Sequence, residues 1–461
     1  MAPKFGTSGL RGLVTELTDD LVGDYTRAFI DACQHGSRIY VGQDLRPSSE
    51  SIGEAVIRAI REQGVEAVDC GVVPTPALAL AAKGAGAVMI TGSHIPADRN
   101  GLKFYVPTGE VSKADEQAIV AAYDAKVAPA GKDAPVVEYG AIAPYVDRYA
   151  RAFGDTALAG LRIGVYQHSS VARDVMMAVI ERLGGEGVAL ARSDAFIPVD
   201  TEAVDQGTRD MLRGWCAEHN LSAVISTDGD ADRPMVTDGE GNVIPGDILG
   251  VLTARMLGAE VVCTPVSSNS VVGMLPEFGT VHMTRIGSPF VIAAMEEALA
   301  EEGAKVVGFE ANGGFLLGFE ADAPAGKLEP LMTRDSILPI VAPLAAAKAA
   351  GRTVAELVAE LPPRFTAADR VTETPTDKSK ALLAELSEDA AKRADFFSAL
   401  GGVSNVDQTD GLRVTFESGD VVHLRPSGNA PEFRVYAEAS TPERARELVD
   451  MYMETVGSAL R

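Results

Sequence analysis

The chain has 461 residues, too many for one hydrophobic core, and its 46% hydrophobic and 23% charged residues are an ordinary globular balance. A formal net charge of −24 argues against nucleic acid or an anionic membrane as a partner, and no apolar run reaches the ~18 residues a membrane helix needs. Four cysteines without a C-x-x-C pair, behind a Met1-Ala-Pro-Lys start with no signal-peptide character, fit a reduced, soluble, cytoplasmic chain.

The first feature is the loop Phe5-Gly-Thr7-Ser-Gly-Leu-Arg11-Gly. Its glycines expose backbone N–H groups, and with Thr7 and the Arg11 guanidinium they make an anion-friendly turn. A pattern then recurs three times: an apolar strand, a serine-rich turn and a helix. Arg38 to Gly42 leads into Gln43-Asp-Leu-Arg-Pro-Ser-Ser and a helix up to about Gln63; Leu161 to Tyr166 leads into Gln167-His-Ser-Ser and a helix up to about Leu183. Val261 to Cys263 leads into Thr264-Pro-Val-Ser-Ser-Asn-Ser and a helix up to about Leu275. The serine pairs are expected to cap the helix N-termini. The spacing predicts three related α/β domains.

Between the first two units, Ala87 to Ile90 predicts a buried strand that ends in Thr91-Gly-Ser93-His94, and Leu102 to Val106 predicts the next strand. A serine on a tight loop between strands is placed to act as a nucleophile or to carry a phosphoryl group. Further on, the apolar strand Leu221 to Thr227 runs into Asp228-Gly-Asp230-Ala-Asp232-Arg233. Three carboxylates at alternate positions repel one another unless a cation neutralises them, and oxygen-only ligands suit Mg²⁺ or Ca²⁺. An EF-hand is excluded, because Arg233 stands where that loop needs glycine and Gly239 where it needs glutamate.

The strand Lys305 to Phe309 ends in Glu310-Ala-Asn312-Gly-Gly, where a carboxylate and a carboxamide can take hydrogen bonds from vicinal sugar hydroxyls. Arg285, in Arg285-Ile-Gly287-Ser, and Lys327 add positive charge nearby in the sequence. Pro362-Pro363 marks a boundary to antiparallel texture: a charged helical stretch from Lys378 to Leu400, a hairpin turning at Ser418-Gly-Asp420, a strand from Phe433 to Ala439 and a final helix from Pro442. Arg425-Pro-Ser427-Gly428-Asn429 on that hairpin's far side holds the parts of a phosphate clamp.

Taken together, these loops resemble those of the α-D-phosphohexomutase family over essentially the whole chain. Thr7 to Gly12 is similar to its N-terminal loop, Thr91 to His94 to its phosphoserine loop and Asp228 to Arg233 to its metal loop. Glu310 to Gly314 and Arg425 to Asn429 are similar to its sugar-binding and phosphate-binding loops. The resemblance implies three similar mixed-sheet α/β domains (1–145, 146–250, 251–362) and a smaller C-terminal α+β domain (363–461) around a central cleft. It implies a phosphoryl group on Ser93 that passes to a hexose 1- or 6-phosphate through a bound hexose 1,6-bisphosphate. Mg²⁺ would sit on Ser93, Asp228, Asp230 and Asp232, Arg11 and Arg233 would hold phosphoryl oxygens, and His94 or Lys103 would move a proton. Thr7, Arg285, Gly287, Glu310, Asn312, Lys327, Arg425, Ser427, Gly428, Asn429 and Arg434 are the implied substrate-binding residues, in a monomer or homodimer.

Within the family, Ser93-His-Ile-Pro-Ala-Asp-Arg-Asn-Gly-Leu-Lys103 together with Ser427-Gly-Asn-Ala-Pro-Glu432 looks more like bacterial phosphomannomutases with some phosphoglucomutase activity, and the Glu310 loop lacks the Glu-Gln-Ser-Gly-His usual in phosphoglucosamine mutases. Two other readings differ in mechanism. A haloacid-dehalogenase-type phosphatase would use Asp228 as nucleophile, but Asp232 stands where its motif has Thr or Val. A non-catalytic sugar-phosphate sensor would need neither Ser93 nor the three aspartates.

Overall fold

The strand Gly86–Ile90 has all five residues buried, as its unbroken apolar run predicts. In the computed structural model, which describes residues 3–6, 9–426 and 432–460, it lies inside a mixed sheet. The sheet runs Lys4–Phe5, Leu10–Leu13, Arg99–Val106, Gly86–Ile90, Arg38–Gln43, Glu66–Val72, Val136–Glu138, with Gly109–Glu110 paired to Arg99–Val106. The last four strands of that run are parallel, and Arg99–Val106 is antiparallel to both of its main neighbours. Helices Asp19–Ala32, Ser49–Glu62 and Lys113–Asp124 carry apolar faces onto it, and the shared core includes Phe29, Ile39, Val56, Ile60, Val88 and Phe104.

The chain divides into two compact units: residues 1–262 with 287–358, and residues 263–286 with 359–461. Besides a two-stranded ribbon of Ala321–Asp322 with Lys327–Leu328, the first unit holds two further, larger ladders. Strands Glu186–Arg192, Arg162–His168 and Ala223–Thr227 are parallel, and Pro234–Thr237 and Val243–Ile244 add antiparallel to the latter. Strands Val306–Phe309, Phe315–Leu317 and Leu331–Asp335 are antiparallel. Helix Ile337–Ala349 is apolar on all sides and almost wholly buried, as such a helix must be. The second unit has an antiparallel sheet ordered Phe365–Val371, Phe433–Ala439, Val421–Pro426, Leu412–Phe416, Val403–Asp407, packed by helix Pro442–Ala459 through Leu448, Val449, Tyr452 and Val456. Among the described residues no helix is long and apolar enough to cross a membrane.

Two sequence expectations need correction. The serine pairs cap less than expected: Ser170 Oγ accepts the Ala172 N–H at 3.0 Å ahead of helix Arg173–Arg182, but the first pair does not cap. Ser48 precedes Ser49–Glu62 without a capping bond, and the hydroxyls of Ser48 and Ser49 instead accept from Asn100 Nδ2 at 2.9 and 3.0 Å. Ser170 bonds the Thr227 hydroxyl at 2.6 Å, so its turn is tied to the strand leading into Asp228. The expected helix up to Leu275 is only the 3-10 turn Ser270–Met274. Gly273 weakens it, and Pro276 forces Leu275 into an extended conformation (φ −94°, ψ 119°). The turn is anchored instead by Glu438, which accepts from both the backbone N–H and the hydroxyl of Ser270.

Candidate active site

Three strands of the first unit end in loops, and two of these meet directly. Gly86–Ile90 delivers Ser93, Ala223–Thr227 delivers Asp228, and Val306–Phe309 delivers Glu310. Strand ends are where α/β sheets place their sites, because the loops there are free of ladder constraints. Ser93 is buried, and its Oγ donates to Asp228 Oδ2 at 2.7 Å. Its φ of 53° lies in the left-handed region, which costs a non-glycine residue about 1–2 kcal/mol and survives only where surroundings impose it. Ala231, at the centre of the aspartate loop, has φ 60° for the same reason of tight loop geometry.

Asp228, Asp230 and Asp232 are completely buried, and each offers a carboxylate oxygen within 4.8 Å of the others. Burying three carboxylates demands compensation. Lys103 Nζ supplies it to Asp230 Oδ2 at 2.6 Å and Asp232 Oδ2 at 2.7 Å. Thr75 Oγ1 donates to Asp230 Oδ2 at 2.8 Å. Arg334 Nη2 reaches Asp232 Oδ2 at 2.7 Å, and Arg233 Nε stands 3.7 Å from Asp232 Oδ1 and 4.0 Å from Asp228 Oδ2. Asp230 Oδ1 and Asp232 Oδ1 remain buried with no hydrogen-bond partner. Unsatisfied hard oxygens beside one another fit a divalent cation of the Mg²⁺ or Ca²⁺ type.

The charges follow from this packing. Burial, then the charges of Asp230 and Asp232, push the Asp228 carboxyl well above its ordinary range. Burial, the largest single cause, opposes ionisation of Asp230 too, but the Lys103 ammonium with Thr75 and Arg334 together outweigh it and hold the group below that range. His94 has Nδ1 3.4 Å from Ser93 Oγ, and burial with the nearby Arg233 pushes its pKa down to about 3, so the ring is neutral. Burial and Arg233 also push Arg11, on the strand Leu10–Leu13, down to about 10; Asp230 and Asp232 lie within its electrostatic reach.

Glu310 and Asn312 are buried but partly engaged. Glu310 Oε1 accepts from Arg334 Nη1 at 3.3 Å, and Asn312 Oδ1 accepts the Gly314 N–H at 3.0 Å. Arg334 therefore spans the sugar-loop carboxylate and the aspartate loop. Lys327 is not brought to this cluster; it is exposed and paired with Asp322 at 2.5 Å. Gly287, with φ 131°, precedes helix Ser288–Ala298. Arg285, Arg425 and Arg434 belong to the second unit. There Arg285 is exposed, Arg425 Nε bonds Asp410 Oδ1 at 2.9 Å, and Arg434 faces Arg425 in strand register. Thr7, Ser427, Gly428 and Asn429 lie outside the described residues.

Sequence reading missed Arg46, Thr75 and Arg334. Arg334 precedes the apolar run that starts at Ile337, and Thr75 opens a helix behind Pro74; neither has a local signal of a role at the aspartates. Arg46 was visible as a charge in a strand–helix turn, but its partners are about fifty residues away.

Comparison with known proteins gives three family-model matches. They are phosphoglucomutase/phosphomannomutase alpha/beta/alpha domain I over residues 2–129, domain III over 245–365 and the C-terminal domain over 370–455. A phosphomannomutase of Sinorhizobium fredii is 45% identical across 100% of both chains. A phosphomannomutase of Salmonella muenchen is 40% identical over 99% of this chain and 96% of its own. The crystal structure of a phosphoglucomutase/phosphomannomutase family protein from Burkholderia thailandensis shares the fold, with a TM-score of 0.77 at 22% identity over 98% of this chain and 97% of its own. With the buried serine and three aspartates in hand and full-length relatives at this identity, the chain belongs to the phosphoglucomutase/phosphomannomutase family of α-D-phosphohexomutases, enzymes that move a phosphoryl group within one substrate.

Proposed function

We propose that this enzyme interconverts hexose 1-phosphates and hexose 6-phosphates, with mannose phosphates preferred and glucose phosphates also accepted. The observation that carries the reading is the 2.7 Å hydrogen bond from Ser93 Oγ to Asp228 Oδ2. It marks Ser93 as a hydroxyl held against a carboxylate that can take its proton. The mannose preference is supported by the two relatives at 45% and 40% identity, both phosphomannomutases. A phosphoglucosamine mutase is less supported, because the sugar loop reads Glu310-Ala-Asn-Gly-Gly. The phosphatase reading is less supported, because Asp232 stands where its motif has Thr or Val and the full-length relatives at 45% and 40% identity are phosphomannomutases.

In the first half-reaction, the bond between phosphorus and Ser93 Oγ breaks while one forms to a sugar hydroxyl oxygen. The hydroxyl's proton goes to a neighbouring base, for which the neutral His94 ring fits better than Lys103, an ammonium held by two carboxylates. In the second, the bound hexose 1,6-bisphosphate presents its other phosphate. Ser93 Oγ, which left the first half-reaction with a proton from Asp228, attacks it and returns that proton to Asp228, while the departing sugar oxygen takes up the proton held on His94. The pair Arg11 and Arg233 supports the phosphoryl oxygens as they shift between the two. Asp228, Asp230, Asp232 and the Ser93 oxygen would hold Mg²⁺, which when bound supplies positive charge against the transferring phosphoryl group.

Glu310 and Asn312 read sugar hydroxyls, and Arg425 with Ser427, Gly428, Asn429 and Arg434 holds the phosphate that is not reacting. Thr7, Arg285, Gly287 and Lys327 remain proposed substrate contacts on the family resemblance alone. The division into four domains is supported by the three family-model spans, and four free cysteines accord with a reducing cytoplasm. Mannose 1-phosphate, glucose 1-phosphate and glucosamine 1-phosphate assayed side by side test the reading. The highest kcat/KM belongs to mannose 1-phosphate; a glucosamine preference would overturn the substrate assignment.

A further inference from the structure

Arg46 stands in the turn between strand Arg38–Gln43 and helix Ser49–Glu62, and its side chain has no solvent exposure. A guanidinium has five N–H groups, and all five are used here. Nε bonds Asp44 Oδ2 at 3.1 Å. Nη1 donates to the carbonyls of Pro96 and Arg99 at 2.7 and 2.9 Å, and Nη2 to those of Ser93 and Ile95 at 2.8 and 2.6 Å. Four carbonyls of the Ser93 loop thus converge on one side chain. The other side of Ser93 is held through Asp44, whose Oδ2 accepts from Thr91 Oγ1 at 2.8 Å, while Thr91 Oγ1 accepts the Ser93 N–H at 2.8 Å. Both peptide groups that flank the Ser93 Cα are therefore fixed by the Asp44–Arg46 pair, which explains how a serine keeps φ 53°.

The face of the guanidinium is covered as well. The Phe196 ring centroid lies 4.1 Å from Arg46 Cζ. The same ring stands against the aspartate loop, where a Cβ on Gly229 would come within 3.2 Å of it. Gly92 leaves the room for this arrangement: a Cβ there would sit 2.6 Å from Arg46 Cζ.

We infer that Arg46 is the positioning residue of phosphoryl transfer, and that Phe196 couples it to the aspartate loop. This rests on the reading that Ser93 carries the phosphoryl group. Arg46 touches no reacting atom; it acts by fixing where Ser93 Oγ points. Ser93 is donor in one half-reaction and acceptor in the other, so a misplaced Oγ slows both. Binding of the sugar phosphate uses other residues and is left as it was. Lysine cannot replace Arg46, because three donors on a flexible stem do not reproduce a planar fork that serves five acceptor contacts.

The test compares wild type with Arg46→Lys, Phe196→Leu and Ser93→Ala. Phosphorylation of Ser93 by saturating glucose 1,6-bisphosphate is followed by intact mass under single-turnover conditions, beside steady-state kinetics in both directions. For Arg46→Lys the rate constant of Ser93 phosphorylation and kcat in both directions fall ~10²-fold, as expected when a reacting atom is displaced by about 1 Å, with KM unchanged. The final extent of phosphorylation stays complete. A merely structural defect would instead lower that extent and leave the rate of the remaining enzyme intact, and this result overturns the proposal. So does Arg46→Lys with wild-type kcat, or a rise in KM alone. Should Arg46→Lys fail to fold, Phe196→Leu decides: about a three- to tenfold loss in kcat at unchanged KM supports the coupling, and an unchanged kcat overturns it. Failure of the phosphoserine reading itself shows separately, as wild type without phosphoryl on Ser93 or as active Ser93→Ala.

Discussion

Ser93 and Asp228 stand 135 positions apart in the chain, yet the serine hydroxyl donates to the aspartate carboxylate at 2.7 Å. The contact joins the end of strand Gly86–Ile90 to the end of strand Ala223–Thr227, from two different sheets. A nucleophile on one loop and an acidic cluster on the other are thereby assembled by the packing of whole ladders. Neither loop does this alone.

The Lys103 ammonium bridges Asp230 and Asp232 and shares their compensation with Arg334, which reaches Asp232. Lys103→Met removes the ammonium that both buried carboxylates share, and losing one partner of a buried ion pair typically costs about 3–5 kcal/mol. Thermal melts are expected to show a lower midpoint for Lys103→Met without added metal, and a larger upward shift on adding Mg²⁺ than wild type shows. Equal midpoints with and without the lysine would refute this role.

Asp230→Asn removes one charge of the triad but keeps its shape. Calorimetric titration with Mg²⁺ should show weaker binding, and the phosphoryl step should slow by ~10²–10³, the usual cost of losing one stabiliser of transition-state charge. Full activity of either wild type or Asp230→Asn in excess chelator would contradict it.

Glu310 is paired with Arg334 and lies at the end of the third ladder's first described strand. Glu310→Gln keeps a hydrogen-bonding group but loses the charge that strengthens hydroxyl recognition. The ratio of kcat/KM values for mannose and glucose 1-phosphates should move toward unity by roughly tenfold. An unchanged ratio would assign discrimination elsewhere.

His423 gives a pH dependence to the second unit. Its Nε2–H donates to the Asp410 carbonyl, and its Nδ1 is buried with no partner. Burial, first of all, pushes the pKa down to about 4 from the ordinary 6.5. The unfolded chain therefore binds more protons than the folded one between those values, so stability is full above pH 6.5 and declines as pH falls toward 4. The decline reaches about 3 kcal/mol, from 1.36 kcal/mol per pH unit. Urea melts at pH 7 and pH 4.5 check it: His423→Gln should flatten the difference, and an equally steep loss in that variant would remove His423 as the cause.

The strand ends that carry the site were legible because each is a short apolar run that stops abruptly at polar residues. Gly86–Ile90, Ala223–Thr227, Phe433–Ala439 and Pro442–Ala459 fall within a residue or two of the sequence reading. The serine turns were misread because a hydroxyl before a helix has two uses, capping or anchoring, and Asn100 and Thr227 claim these from distant strands. The roles of Arg46 and Arg334 were invisible for a related reason. Their meaning comes from carbonyls and carboxylates that only tertiary packing brings near. Lys327 shows the converse, since proximity in sequence to the sugar loop left it exposed on a two-stranded ribbon with Asp322.

The central claim is that Ser93 carries the phosphoryl group that moves. The direct measurement is peptide-resolved mass spectrometry of the enzyme after brief incubation with glucose 1,6-bisphosphate, in wild type and in Ser93→Ala. The account predicts one phosphoryl adduct, on the peptide containing Ser93, removed by added hexose phosphate and missing from an inactive Ser93→Ala. An adduct on Asp228, or Ser93→Ala turning over at the wild-type rate, would contradict it.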